Sequence, residues 1–303
     1  MKLKKVALVG AGAVGAWFIS LMQEKMGENF IVLAEGERKE RLLETGLKIN
    51  GREIRLNVKD PQEAGEADLL LIATKYNALG GAARQAKPVV GAHTTVLSLL
   101  NGIDSEQVVG ETVGEEHVVP SFMRIISARR GQEITFDEQG FNKVIFGEWS
   151  GEETPRVLAL KELFDAYGVS CRISRDIRSD MWNKYAINIA NNMPQAVLGV
   201  GYGAYFDSPH VKHIHQKVMD EVFLVAKAEN IVITAIPTAR NTAVPATRFS
   251  TLQDLDAKRP TETEMLLGVF LQIAKKHGIE VPYCEYTYHA LKALEEKNEG
   301  KLP

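Results

Sequence analysis

The apolar run Val6–Val9 leads directly into Gly10-Ala11-Gly12-Ala13-Val14-Gly15, and a helix-forming stretch follows at once. Three glycines at this spacing, between a strand and a helix, constrain the backbone more than any other feature of the chain. Gly10 permits a tight turn. Gly12 leaves no side chain in the way of a pyrophosphate, and Gly15 lets helix and strand pack closely. The helix start also presents free N–H groups and a positive dipole end. Gly10, Ala11, Gly12, Ala13, Val14 and Gly15 are therefore a candidate dinucleotide cradle. A glycine turn in a sheet without a ligand is the bland alternative, and the agreement of strand, helix and position argues against it.

The first half then repeats the pattern. Apolar runs at 30–34, 68–74 and 95–100 alternate with helical stretches, which implies crossover connections and a mostly parallel sheet covered on both faces. Residues 47–58 alternate around Asn50-Gly51, a strong hairpin signal. Glu133–Phe136 and Lys143–Phe146 read as an antiparallel edge on that sheet, joined through residues 137–140. A helix over Pro155–Tyr167 and a strand at 169–173 complete this half. Beyond Arg175 strand signals nearly vanish. Helices are expected over 176–192, 209–229, 252–256, 262–277 and 283–297, with starts at Ser208-Pro209 and Thr261 and a stop at Gly278. The expected fold class is α/β: an N-terminal Rossmann-type domain over residues 1–172 and a C-terminal all-α domain over residues 173–303.

Composition narrows the function classes. Hydrophobic residues at 45% and charged residues at 25% match an ordinary globular protein with ample core material. A net charge of −3, from 36 basic and 39 acidic residues, without a long basic run, argues against a nucleic-acid partner. Cys171 and Cys284 are the two cysteines and form no C-x-x-C, which fits a reducing, cytoplasmic compartment and no zinc ribbon. The basic start MKLKK and the apolar residues 6–22 look like a signal peptide or anchor, but three glycines break the run and no small-residue cleavage pattern follows. A buried strand, turn and helix is expected instead, and no membrane partner. His210, His213 and His215 form H-x-x-H-x-H, whose spacing of two does not share a helix face, so surface histidines and no metal are expected.

Other polar residues stand where ligands bind in open α/β sheets, at the carboxyl ends of predicted strands. Glu35 closes the second strand. Its carboxylate can accept from a ribose 2′-hydroxyl and repels a 2′-phosphate, which favours NAD, although Arg38 and Lys39 nearby fit a phosphate. Lys75 follows the run ending at Thr74 and can face phosphate or substrate. Asn101 follows Leu100 and can contact the nicotinamide side of a cofactor. A loop-capping role is open for each. In DMWNKYAINIANN, Lys184, Asn188 and Asn192 are spaced by four and line one face of an otherwise apolar helix. Asparagine is a mediocre helix former, so this stripe faces something polar.

GAGAVG, ATK ending at Lys75, LLNG containing Asn101, MWNKYAINIANN, and STLQDLDAKRPTETE from Ser250 to Glu264 together resemble the ketopantoate reductase (2-dehydropantoate 2-reductase) family over nearly the whole chain. The resemblance implies a Rossmann domain, a helical substrate and catalytic domain of the 6-phosphogluconate dehydrogenase C-terminal type, and an active site between them. It implies NADP(H), with NAD(H) kept open by Glu35, and reduction of a 2-keto acid, 2-dehydropantoate, to its alcohol in pantothenate and coenzyme A biosynthesis. By the family pattern Lys184 is the catalytic lysine and general acid. Asn188, Asn192 and Ser250 hold substrate, Asn101 stands at the cofactor–substrate junction, and Glu262 lies near the substrate hydroxyl and the cofactor. Glu262 also has a local reading, in which Thr261 and Glu264 form a capping box and Glu262 compensates the helix dipole.

Three positions depart from the family pattern. Thr247 stands where an asparagine is typical, Tyr202 takes the place of a further asparagine, and Glu35 replaces a frequent basic residue. They touch substrate and cofactor selection and leave the lysine–asparagine set intact. The alternatives are a reductase of another 2-keto acid, a different hydroxyacid or opine-type dehydrogenase, or a nucleotide-sensing protein without turnover. Leu266, Leu267, Val269, Phe270, Ile273 and Ala274 supply an apolar face that fits either a homodimer contact or internal core.

Overall fold

The structure is a computed structural model and describes residues 2–130, 133–136, 142–234 and 244–302. Contacts divide it into two compact units, Met1–Leu100 with Asp104–Ile177, and Asn101–Ile103 with Arg178–Pro303. Among the described residues no helix is long and apolar enough to cross a membrane.

Among the described residues the first unit holds all twelve strands: β1 (Val6–Val9), β2 (Phe30–Leu33), β3 (Leu47–Ile49), β4 (Arg52–Ile54), β5 (Val58–Lys59), β6 (Ala67–Ile72), β7 (Val90–Ser98), β8 (Ser121–Arg124), β9 (Ser127–Arg130), β10 (Glu133–Phe136), β11 (Lys143–Phe146) and β12 (Cys171–Ile173). The main sheet is parallel, in the order β5-β2-β1-β6-β7. The runs VALV and FIVL are buried at every position, as a strand covered on both faces requires. The order reverses between β1 and β6, so their carboxyl ends bound a topological switch point. The helix Ala13–Phe18 passes through a π turn at Ile19–Gln23 into Glu24–Met26 and buries Phe18 and Met22 in the core. Phe164, from the helix Pro155–Tyr167, packs at 6.0 Å from Phe18 and 5.7 Å from Phe146.

β3 and β4 pair antiparallel across Asn50-Gly51, as the hairpin signal predicts. The expected antiparallel pairing of Glu133–Phe136 with Lys143–Phe146 is not found. β10 pairs with β9 and β3 in a sheet of order β4-β3-β10-β9, whereas β11 pairs with β8 and β12 in another. Alternation marks a strand but does not name its partner. The connecting residues 137–140 lie outside the described residues.

In the second unit the helix Ile177–Ile187 runs through a π turn at Asn188–Asn192 into Met193–Leu198. Ala204–Asp207 and Pro209–Ala228 follow, the latter capped by Ser208, whose hydroxyl accepts from the Val211 N–H. Ser250–Asp256, a third π turn at Glu264–Gly268 continuing into Val269–Lys276, and Pro282–Asn298 complete it. Tyr185, Ile189, Met265, Leu267 and Phe270 are fully buried here. Leu266 and Ala274 are buried as well, so most of the apolar face at 266–274 is internal core of one chain.

The expected capping box at Thr261 and Glu264 does not form. Glu264 turns back over Gly268, where any Cβ would strike its carboxylate, and accepts from the Tyr288 hydroxyl at 2.9 Å. Thr261 instead takes its partner from the last long helix, where Glu295 Oε1 accepts its N–H at 3.0 Å.

Candidate active site

In the first unit the glycines of the loop have separate causes. Gly10 has φ +100°, and a Cβ there would collide with the Ala73 carbonyl and the Thr74 backbone at the end of β6. A Cβ on Gly15 would collide with the Gly10 carbonyl oxygen. Among the described residues nothing lies within 4 Å of where a Gly12 Cβ would be, so none of them calls for a glycine there. That open space adjoins the start of Ala13–Phe18, which no side chain caps. The Thr74 hydroxyl is buried without a hydrogen-bond partner among the described residues, a costly state for a polar atom. Room at Gly12, backbone donors at the helix start and the orphaned Thr74 hydroxyl fit the pyrophosphate of a dinucleotide. Glu35 is exposed at the end of β2, immediately before the helix Gly36–Thr45. The Lys39 ammonium pairs with Glu63 at 3.1 Å. Lys75 is exposed just past β6.

In the second unit Lys184, Asn101 and Glu262 meet. Lys184 Nζ donates to Asn101 Oδ1 at 2.7 Å, and Asn101 Nδ2 donates to Glu262 Oε2 at 3.1 Å. The two partners fix the amide, because its oxygen must face the ammonium and its NH₂ the carboxylate. Asn101 thus links a cation and an anion through one neutral side chain, and all three are half-buried. Asn188 is half-buried further along the lysine helix, and Asn192 is buried. Both lie in the π turn, which advances fewer degrees per residue than an α-helix and so draws Asn192 inward from a straight stripe. Ser250 is exposed in the first turn of Ser250–Asp256, a helix that packs on this π turn.

The segment before Ser250 is held from below. Gln195 Nε2 donates to the Thr247 carbonyl at 3.0 Å, and Gln195 Oε1 accepts the Phe249 N–H at 2.7 Å. The Tyr202 N–H donates to the same Thr247 carbonyl at 3.0 Å. The Tyr202 ring packs edge-on against Phe249 at 5.2 Å and Phe206 at 5.3 Å. Tyr205 donates its hydroxyl to the Asn191 carbonyl at 2.6 Å. His215 is not a surface histidine. It is half-buried against Tyr205, its Nε2 lies 2.9 Å from Asn191 Oδ1, and burial lowers its pKa. Among the described residues no group of three His, Cys, Asp or Glu side chains is placed to hold a metal ion.

Sequence reasoning singles out Lys75 and Asn101 but passes over the residues beside them. Thr74 carries the orphaned hydroxyl. Asp104 accepts from the Tyr76 hydroxyl and leaves its other oxygen buried without a partner among the described residues. Burial raises the Asp104 pKa. Their position, just beyond the carboxyl ends of β6 and β7, is the signal that points to them.

Comparisons with known proteins agree across the chain. The family described as Ketopantoate reductase PanE/ApbA matches residues 6–151, and Ketopantoate reductase PanE/ApbA C terminal matches residues 176–295. The chain is similar to the uncharacterized oxidoreductase YkpB of Bacillus subtilis, at 26% identity over 96% of this chain and 99% of that protein. It is also similar to the 2-dehydropantoate 2-reductase of Aquifex aeolicus, at 26% identity over 96% of this chain and 97% of that one. The PanE/ApbA family ketopantoate reductase of Ralstonia eutropha shares the fold with a TM-score of 0.84, at 25% identity over 97% of this chain and 99% of that one. A ternary structure of D-mandelate dehydrogenase with NADH and anilino(oxo)acetate shares it with a TM-score of 0.85, at 22% identity over the same shares.

Proposed function

The chain belongs to the ketopantoate reductase family, and we propose that it reduces the ketone of a 2-keto acid, 2-dehydropantoate first among them, to a hydroxyl. The observation that carries this reading is the hydrogen-bonded set Lys184–Asn101–Glu262. A bound nicotinamide cofactor supplies the hydride. When hydride reaches the carbonyl carbon, the C=O π pair moves onto oxygen, and Lys184 Nζ stabilises that charge and gives it a proton. The lysine is left as a neutral amine that recovers its proton from water. Asn101 occupies one ammonium N–H and so aims the others. Glu262 holds the Asn101 amide in the orientation that accepts from lysine. Asn188, Asn192 and Ser250 offer neutral hydrogen-bonding groups for the substrate's hydroxyl and carboxylate without adding charge.

The glycine loop, the start of the helix Ala13–Phe18, Thr74, Lys75 and Asn101 would hold the cofactor. Exposed Glu35 prefers a ribose 2′-hydroxyl to a 2′-phosphate, and Lys39 is engaged with Glu63, which favours NADH. The relative from Aquifex aeolicus supports 2-dehydropantoate as substrate. A bulkier 2-keto acid is the second reading, favoured by the aromatic Tyr202–Phe249 pair immediately before Ser250. D-Mandelate dehydrogenase, bound to anilino(oxo)acetate, is built on the same fold.

The test follows oxidation of NADH and of NADPH with 2-dehydropantoate and with branched and aryl 2-keto acids. Turnover with one acid, lost by about 10²- to 10⁴-fold in Lys184→Ala, is the expected result. A protein that binds nucleotide and turns over no 2-keto acid, or a variant that keeps its rate, would overturn the reading.

A further inference from the structure

Glu262 is the middle residue of a turn that other side chains hold shut. The Thr261 hydroxyl accepts from the Thr263 N–H at 3.1 Å, closing the chain over Glu262. The same hydroxyl donates to Glu295 Oε1 at 2.6 Å, and the Thr261 N–H donates to that oxygen at 3.0 Å. Thr261 Oγ1 and Thr263 Oγ1 are 2.6 Å apart. The single Thr261 hydroxyl proton is committed to the carboxylate, so the Thr263 hydroxyl is the donor in that pair. Thr261 is 6% exposed and Thr263 fully buried, so water does not compete for these bonds. The other Glu295 oxygen accepts from Lys292 Nζ at 2.8 Å, one turn earlier on the helix Pro282–Asn298.

We infer that Glu295 is a positioning residue for Glu262: by gripping Thr261 from the last helix, it fixes the turn from which the Glu262 carboxylate reaches Asn101. This rests on the proposed reduction and deepens it. Glu264, the other acid of the stretch, is drawn to Tyr288 and does not share the task. Asn101 takes its orientation from Glu262, and Lys184 takes its own from Asn101. A charged side chain that touches neither reactant therefore governs the direction of the ammonium. Charge matters here because a carboxylate oxygen can accept two donors at once and bonds each more strongly than a neutral acceptor does.

The experiment is a double-mutant cycle on the full chain, read as kcat, KM and nucleotide affinity. Glu295→Ala should lower kcat about tenfold, with a smaller effect on nucleotide affinity through Asn101, the order expected for losing one well-made charged hydrogen bond. In a Glu262→Ala background, which removes the acceptor for Asn101, the same change should cost nothing further, because its effect passes through Glu262. Thr261→Val should copy Glu295→Ala, and Thr261→Ser, which keeps the hydroxyl, should restore the rate. If Glu295→Ala does not fold, the two threonine variants carry the test alone. An equal loss with and without the Glu262 side chain, or no loss at all, overturns the positioning role. Lys184→Ala run alongside separates the two failures: if it keeps full turnover, the reduction mechanism itself falls, whereas if it is dead and the cycle is additive, only Glu295 does.

Discussion

The glycine loop and the Lys184 set are built in opposite ways. The loop lies within six consecutive residues and works through backbone and empty space. Two of its glycines are required by neighbouring carbonyls, and the third by no atom of the described residues. The lysine set draws its members from positions separated by 83 and 161 residues and depends on side chains meeting at 2.7 and 3.1 Å. A site made of local backbone can be read from a short string. A site made of distant side chains becomes visible only when the fold, or a resemblance to a family, brings those positions together.

The contrast can be broken most forcefully at the lysine. Lys184→Ala should lower kcat by about 10³-fold while leaving nucleotide affinity within about twofold. A parallel fall in affinity would mean that the two regions do not act separately. Gly15→Ala should do the reverse, removing about 3 kcal/mol or more of stability in denaturant unfolding, because its methyl has no room against the Gly10 carbonyl.

Glu106 tests whether the nucleotide-type unit also stakes stability on a buried charge. Its oxygens accept from the Ser105 hydroxyl at 3.0 Å and the Ser121 N–H at 3.4 Å, and burial pushes its pKa up to about 7. The folded state then binds more protons than the unfolded one from the usual carboxylate range up to about pH 7. Stability should fall as pH rises through that window and level off above it, by about 3 kcal/mol in all. Glu106→Gln should flatten the slope in unfolding curves taken at several pH values. The smallest effect is the sharpest: Gly12→Ala should leave stability within about 0.5 kcal/mol and weaken nucleotide binding about tenfold. A loss of stability with binding intact would mean that the space beside Gly12 serves the fold.

The parallel sheet, the hairpin at Asn50-Gly51 and most helix starts and stops were legible because they rest on local periodicity and turn chemistry. The partners of β10 and β11 were not, since pairing is chosen by tertiary contacts. The pattern Thr261-x-x-Glu264 invited a capping box, yet Gly268 and Tyr288, both outside that pattern, draw the glutamate away. The grip of Glu295 on Thr261 spans 34 residues and has no sequence signature. His215 was misread for a related reason, because its partners Tyr205 and Asn191 stand on other segments. Lys184 itself was conspicuous, but only the family resemblance suggested what its helix faces.

The helices that follow the glycine loop, carry Lys184 and follow Glu262 each contain a π turn, at Ile19–Gln23, Asn188–Asn192 and Glu264–Gly268. Such a helix holds one residue more than its span requires, as though a letter had been inserted into a word whose two ends cannot move. Before and after the insertion the helix keeps different phases, so the half that bears Lys184 and the half that anchors in the core are indexed separately. Removing a single residue from 188–192 would restore a regular helix between the same two ends, and the residues of that turn, Asn188 and Asn192 among them, would shift round the helix by tens of degrees. The length of these segments is therefore as much a part of the site as the identity of the residues in them.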